Sequence, residues 1–77
     1  MMRTKTVIFR NIDDMLKFIK KVESYPYHMD MKRDDYIVDA KSLFGLMNLG
    51  LERKIELEVY DENCDDLFED IAQFVAA

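Results

Sequence analysis

Residues 39–51 read DAKSLFGLMNLGL, Asp39 to Leu51. Ser42 is a residue type that caps a helix N-terminus, because its hydroxyl can accept a bond from a backbone N–H two or three residues on. Gly50 is the residue type that ends a helix most cheaply. The spacing therefore predicts a helix over Ser42–Leu49, carrying Leu43, Phe44, Leu46, Met47 and Leu49 with almost nothing polar among them. A helix this short cannot turn all five inward. Leu46 and Leu49 can face a core together, which leaves Leu43, Phe44 and Met47 either under long neighbouring side chains or as an exposed contact cluster.

Working outward, the period of the chain changes on both sides of this segment. Upstream, Tyr27, Met29 and Met31 alternate with His28 and Asp30, and Tyr36, Val38 and Ala40 alternate with Ile37 and Asp39. The polar turn KRDD joins these two runs, so they form a hairpin. Downstream, KIELEVY predicts a strand with Ile55, Leu57 and Val59 inward and Glu56 and Glu58 outward. Nearer the N-terminus, Thr4 to Phe9 is β-branched and aromatic and reads as a strand. Asn11 then caps a helix with Asp13 and Asp14 in its first turn, where the helix dipole favours negative charge. Ile12, Met15, Leu16, Ile19 and Val22 supply that helix's apolar positions, and Pro26 forbids its continuation. Last, Asn63 or Asp61 caps a helix carrying Cys64, Leu67, Phe68, Ile71 and Val75 on one stripe. The order is β-α-β-β-α-β-α. Strands apolar on one face want helices on that face only, so the expected fold is α+β, an open-faced β-sandwich with a four-stranded, mostly antiparallel sheet and three helices on one side.

The 77 residues make a single domain, 1–77. No apolar run approaches the roughly 20 residues that span a bilayer, and the N-terminus lacks the apolar centre of a secretion signal. One cysteine can form no internal disulfide, which fits a reducing cytoplasm. All eleven Lys and Arg lie within residues 1–54, while residues 55–77 hold eight acids and no base, giving the net charge of −5. That acidic end repels phosphate backbones, so nucleic acid is not an expected partner.

Enzymatic chemistry is not expected either. There is no glycine-rich phosphate loop, no CxxC and no HExxH, and neither a cofactor nor a metal site is expected. His28 sits in mid-strand on the polar side of the hairpin, as a solvent-facing residue rather than a base. Cys64 falls on an apolar stripe, as a buried thiol. Asp34 and Asp35 are neighbours in a turn, with no cleft to separate their pKa values.

AKSLFGLMNLGL resembles the segment around the regulatory serine of the HPr family, the histidine-containing phosphocarriers of the bacterial sugar phosphotransferase system. The element order is that family's as well, and the similarity covers nearly the whole chain. The resemblance implies that Ser42 is a regulatory phosphorylation site, with Lys41 beside it. It implies also that Leu43, Phe44 and Met47 dock protein partners (phosphotransferase-system components, a regulator or an HPr kinase), and Lys41 is expected among the partner-binding residues with them. It further implies a phosphate-accepting histidine at the start of the first helix, in a loop of GxHxRPA form. Here that stretch is FRNIDDMLKF, shorter by about three residues, with Asn11 in the histidine's approximate seat. An amide cannot accept the phosphate, and Asp13 and Asp14 would repel it. The expectation is a family member without carrier activity that binds partners through Ser42–Leu49. The alternatives are a divergent carrier with another acceptor such as His28, and a homodimeric assembly element.

Overall fold

The computed structural model describes residues 2–76. Four strands, β1 (Arg3–Val7), β2 (Met29–Arg33), β3 (Tyr36–Asp39) and β4 (Ile55–Val59), form one antiparallel sheet in the order β1-β4-β2-β3. Three helices, α1 (Ile12–Val22), α2 (Leu43–Leu49) and α3 (Asp65–Asp70), interleave with them, and a 3-10 turn at Ala72–Phe74 closes the chain. The order is the expected β-α-β-β-α-β-α.

The register explains the layering. Pairing of Val7 with Ile55, and of Leu57 with Met31, puts these apolar side chains on one face of the sheet. They are buried there under Met15, Phe18 and Val22 of α1, Leu46 and Leu49 of α2, and Leu67 of α3. The opposite face carries Thr4, Thr6, Asp30, Lys32, Glu56 and Glu58, as an open polar layer. The two edges are finished differently. The Ile8 N–H donates to Phe74 O and the Ala76 N–H to Thr6 O, so the C-terminal segment runs along β1. β3 is the other edge, a strand of only four residues with Tyr36 and Ile37 exposed.

Four details depart from the periodic pattern. In α1, Phe18 is buried, while Ile12 and Leu16 are exposed. Phe9 and Phe74 draw Phe18 in: the three rings pack with centroids 5.1 to 6.0 Å apart, and the buried stripe rotates accordingly. Neither Asp61 nor Asn63 caps α3. The Asp61 carboxylate instead accepts from the Asn63 N–H at 2.8 Å, and Cys64 occupies the cap seat without a side-chain bond. Val75 lies half-buried beside Val7, and Phe74 takes the core position at that end. Glu58, expected outward in solvent, is buried on the polar face, where Thr4 and Asp30 flank it and the Tyr60 hydroxyl reaches it. That burial raises its pKa, with Glu56 adding to the shift.

Candidate functional site

The seat of α2 is set by one glycine. A Cβ on Gly45 would lie 2.8 Å from the Cβ of Val38, so only glycine lets the helix approach β3 this closely. Ser42 caps the helix as expected, its hydroxyl accepting from the Gly45 N–H at 3.2 Å. At the far end Gly50 has φ of 94°, in the left-handed region, and its N–H donates to Leu46 O. With Leu46 and Leu49 turned inward, Leu43 is half-buried, Met47 is 47% exposed and Phe44 is 81% exposed. Phe44 is the most exposed large apolar side chain among the described residues.

Two long-range contacts fix α2 beside α1. The Lys41 ammonium donates to the carbonyls of Tyr25 and Tyr27 at 3.1 and 3.3 Å, just past the end of α1. At the other end the Glu52 N–H donates to Phe9 O at 2.7 Å, just ahead of α1. The helices therefore run antiparallel, and the exit of α2 adjoins the entrance of α1. Lys41, expected at a partner or phosphate contact, spends its ammonium on this interhelix connection. Asp39 adjoins this cap: its carboxylate accepts from the Lys41 N–H and its carbonyl from the Ser42 N–H.

The entrance of α1 is closed by its own residues. The Asn11 side chain accepts from the Asp14 N–H at 2.8 Å. The Asp14 carboxylate, buried at 4% exposure, accepts from the Arg10 N–H at 3.0 Å and from its guanidinium at 2.9 and 3.2 Å. These bonds to Arg10 hold the Asp14 carboxyl below the usual carboxylate range and raise Arg10 in turn. Asp13 pairs outward with Lys17 at 3.0 Å. Ile12 and Leu16 of α1 are exposed, as is Leu51 after α2. The sequence reading missed these three and the Arg10–Asp14 lock. The i, i+4 spacing of Arg10 and Asp14 was the available signal for the lock.

The remaining titratable candidates fall elsewhere. His28 precedes β2 rather than lying within it, points to the open face beside Asp30 and Tyr60, and is well exposed. Cys64 is buried, and burial pushes its thiol up. Burial, then its bond to Asp66, pushes the Tyr27 phenol up to about 12. Asp34 and Asp35 occupy the β2–β3 turn, Asp34 at φ of 54°. Among the described residues no group of three His, Cys, Asp or Glu side chains is arranged to hold a metal. No helix among them is long and apolar enough to cross a membrane.

An open-faced sandwich of this order, with an apolar helix flank beside the entrance of α1, defines the class, and comparison with known proteins places the chain within it. The family model described as the PTS HPr component phosphorylation site matches residues 15–77. The chain belongs to the HPr family of the phosphotransferase system. Among solved structures it is similar to a phosphocarrier protein HPr from Bacillus anthracis, at 21% identity and a TM-score of 0.75, over 97% of this chain and 98% of that one. It is also similar to HPr-C-His from Thermoanaerobacter tengcongensis, at 15% identity and a TM-score of 0.73, over 95% and 88%. At these identities the two structures show the shared fold. No curated protein matches the sequence.

Proposed function

We propose that this HPr-family chain has given up phosphocarrier chemistry and acts as a regulatory, partner-binding module through the flank of α2. The observation that carries the reading is the occupied entrance of α1. A carrier needs an acceptor nucleophile there, free N–H groups to receive the phosphate, and a nearby cation. In this chain the amide of Asn11 stands at the cap, the Asp14 N–H is spent on it, and the Arg10 guanidinium is spent on Asp14. His28 does not substitute, because it sits on the open face of the sheet beside Asp30 and Tyr60, away from the entrance of α1.

The flank beside this entrance supports partner binding. Phe44 and Met47, with Leu43 half-buried between them and the core, form an apolar surface that a monomeric domain has no internal reason to expose. Leu51, Ile12 and Leu16 are exposed on the segments next in the fold, α1 and the turn after α2. The expected partners are other phosphotransferase-system components or a regulator. Ser42 is the candidate modification site. A phosphate there would meet the helix N-terminus but also the Asp39 carboxylate, with the Lys41 ammonium already engaged.

The test is incubation with Enzyme I and phosphoenolpyruvate, followed by mass spectrometry under alkaline conditions that preserve phosphohistidine. The protein is expected to stay unmodified while a carrier HPr in the same mixture is labelled. A stoichiometric adduct on this chain overturns the reading.

A further inference from the structure

The end of the sheet at the β2–β3 turn carries two adjoining grooves. One, of about 310 Å³, is lined by Lys32, Arg33 and Lys54 with Thr6, Asp34, Ile55 and Glu56. The other, of about 360 Å³, is lined by Arg33, Asp34, Glu52, Arg53 and Lys54. Arg33, Asp34 and Lys54 line both, so the paired depression carries four cations, Lys32 on one side and Arg53 on the other.

These cations differ from most others in the molecule. Arg3, Arg10, Lys17 and Lys21 each pair with a carboxylate, and Lys41 is held by two carbonyls. Among the described residues Lys32, Arg53 and Lys54 pair with no carboxylate at ion-pair distance, although Asp34, Glu52 and Glu56 line the same grooves. Arg33 is pinned, its Nε donating to Leu49 O at 2.7 Å and Nη1 to Asp34 at 3.2 Å, which leaves Nη2 available. In a chain of net charge −5, three cations without a carboxylate partner beside a pinned arginine form an arrangement that a bound anion relieves.

We infer that this depression binds a small organic phosphate that also carries hydroxyl groups, a hexose phosphate being the simplest example. Phosphate suits the set because lysine meets it as a point charge and arginine as a planar fork. The interleaved carboxylates discriminate against a bare inorganic anion, and they accept hydrogen bonds from hydroxyls, as does Thr6. Each groove is at the lower end of the volumes that hold small ligands, roughly 300–1,000 Å³. A long polyanion is disfavoured, since the acids of residues 55–77 repel it, whereas a small ligand feels only charges within about 8 Å at physiological salt. The inference does not rest on the docking reading, because it requires neither Phe44 nor any phosphotransfer.

The test is a titration of the whole nitrogen-15-labelled chain, followed by amide chemical shifts at low ionic strength. The probes are glucose 6-phosphate, glucose, inorganic phosphate and sulfate. Glucose 6-phosphate is expected to give saturable shifts at residues 32–34 and 52–56, with half-saturation in the low millimolar range, about 1 mM. Glucose is expected to give none, and inorganic phosphate and sulfate to bind about tenfold more weakly. In an Arg53→Gln, Lys54→Gln variant the shifts should disappear while the rest of the spectrum is unchanged; Arg33 is left intact because it anchors Leu49. Equal binding of sulfate and glucose 6-phosphate, saturable binding that survives in the variant, or shifts centred on any other surface overturns the inference. So does the absence of saturable shifts in the wild-type chain.

Discussion

The entrance of α1 and the flank of α2 lie side by side, joined by the bond from the Glu52 N–H to Phe9 O, yet the chain finishes them in opposite ways. At α1, the polar groups of the entrance bind one another: Asn11 caps Asp14, and Asp14 holds both the backbone and the guanidinium of Arg10. At α2, the polar ends are satisfied by Ser42 and Gly50, but the apolar flank is left open, with Phe44 at 81% exposure. A satisfied polar corner has little left to offer a phosphoryl group. An unsatisfied apolar flank still gains from being covered. The contrast separates two properties that a phosphocarrier combines.

The comparison can be broken most severely at the seat of α2. Gly45→Val would force its side chain into Val38, so a loss of about 3 kcal/mol in urea unfolding is expected, with the flank losing its shape. An unchanged midpoint would mean that α2 is not seated on β3 by close backbone approach. Phe44→Asp should do the reverse. Stability should hold, since the side chain is exposed, while affinity for a docking partner falls about tenfold or more by titration calorimetry.

The α1 corner is probed by pH. The Asp14 carboxyl sits below its ordinary value in the folded chain because of Arg10, so its contribution to stability is complete above the unfolded value near 3.8. That contribution is lost as pH falls through the lower, folded value. Asp14→Asn should remove this part of the acid dependence in thermal melts and lower stability at neutral pH. If the acid limb of the variant matches the wild type, the lock contributes nothing to folding. The smallest expected effects are at the two caps. Asn11→Ala and Ser42→Ala should each cost about 1 kcal/mol, and Ser42→Asp should retain most of the cap. A Ser42→Ala loss far above that would give the hydroxyl a role besides capping.

The parts of this architecture that rest on short-range pattern were legible in the sequence. Alternation in KIELEVY marked β4, the Ser42 and Gly50 signals bounded α2, and the choice of Leu46 and Leu49 as its buried side follows from helical geometry. What escaped was set by contacts between distant segments. Phe18 is the exception, since Met15, Phe18 and Val22 recur at helical spacing and mark the buried side of α1 by themselves; Phe9 and Phe74 meet it there. Glu58 alternates correctly but lands in a central strand between Thr4 and Asp30, where the outer face is itself crowded. The engagement of Lys41 was not legible because its acceptors, the Tyr25 and Tyr27 carbonyls, lie in a loop some fifteen residues away. The α1 entrance was read as a site of charge repulsion by two carboxylates. In the fold Asp13 faces Lys17 in solvent, and Asp14 is buried and neutralised by Arg10, so the corner is closed by pairing more than by repulsion.

The most direct measurement joins both halves of the comparison in one sample. The labelled chain is titrated with a phosphotransferase-system partner such as Enzyme I, then supplied with phosphoenolpyruvate, while amide and phosphorus-31 spectra are recorded. The account predicts shifts centred on Leu43, Phe44, Met47 and Leu51 on binding, and no phosphoramidate signal on this chain after phosphoenolpyruvate is added. A phosphoramidate resonance, or binding that leaves the α2 flank unperturbed, would contradict it.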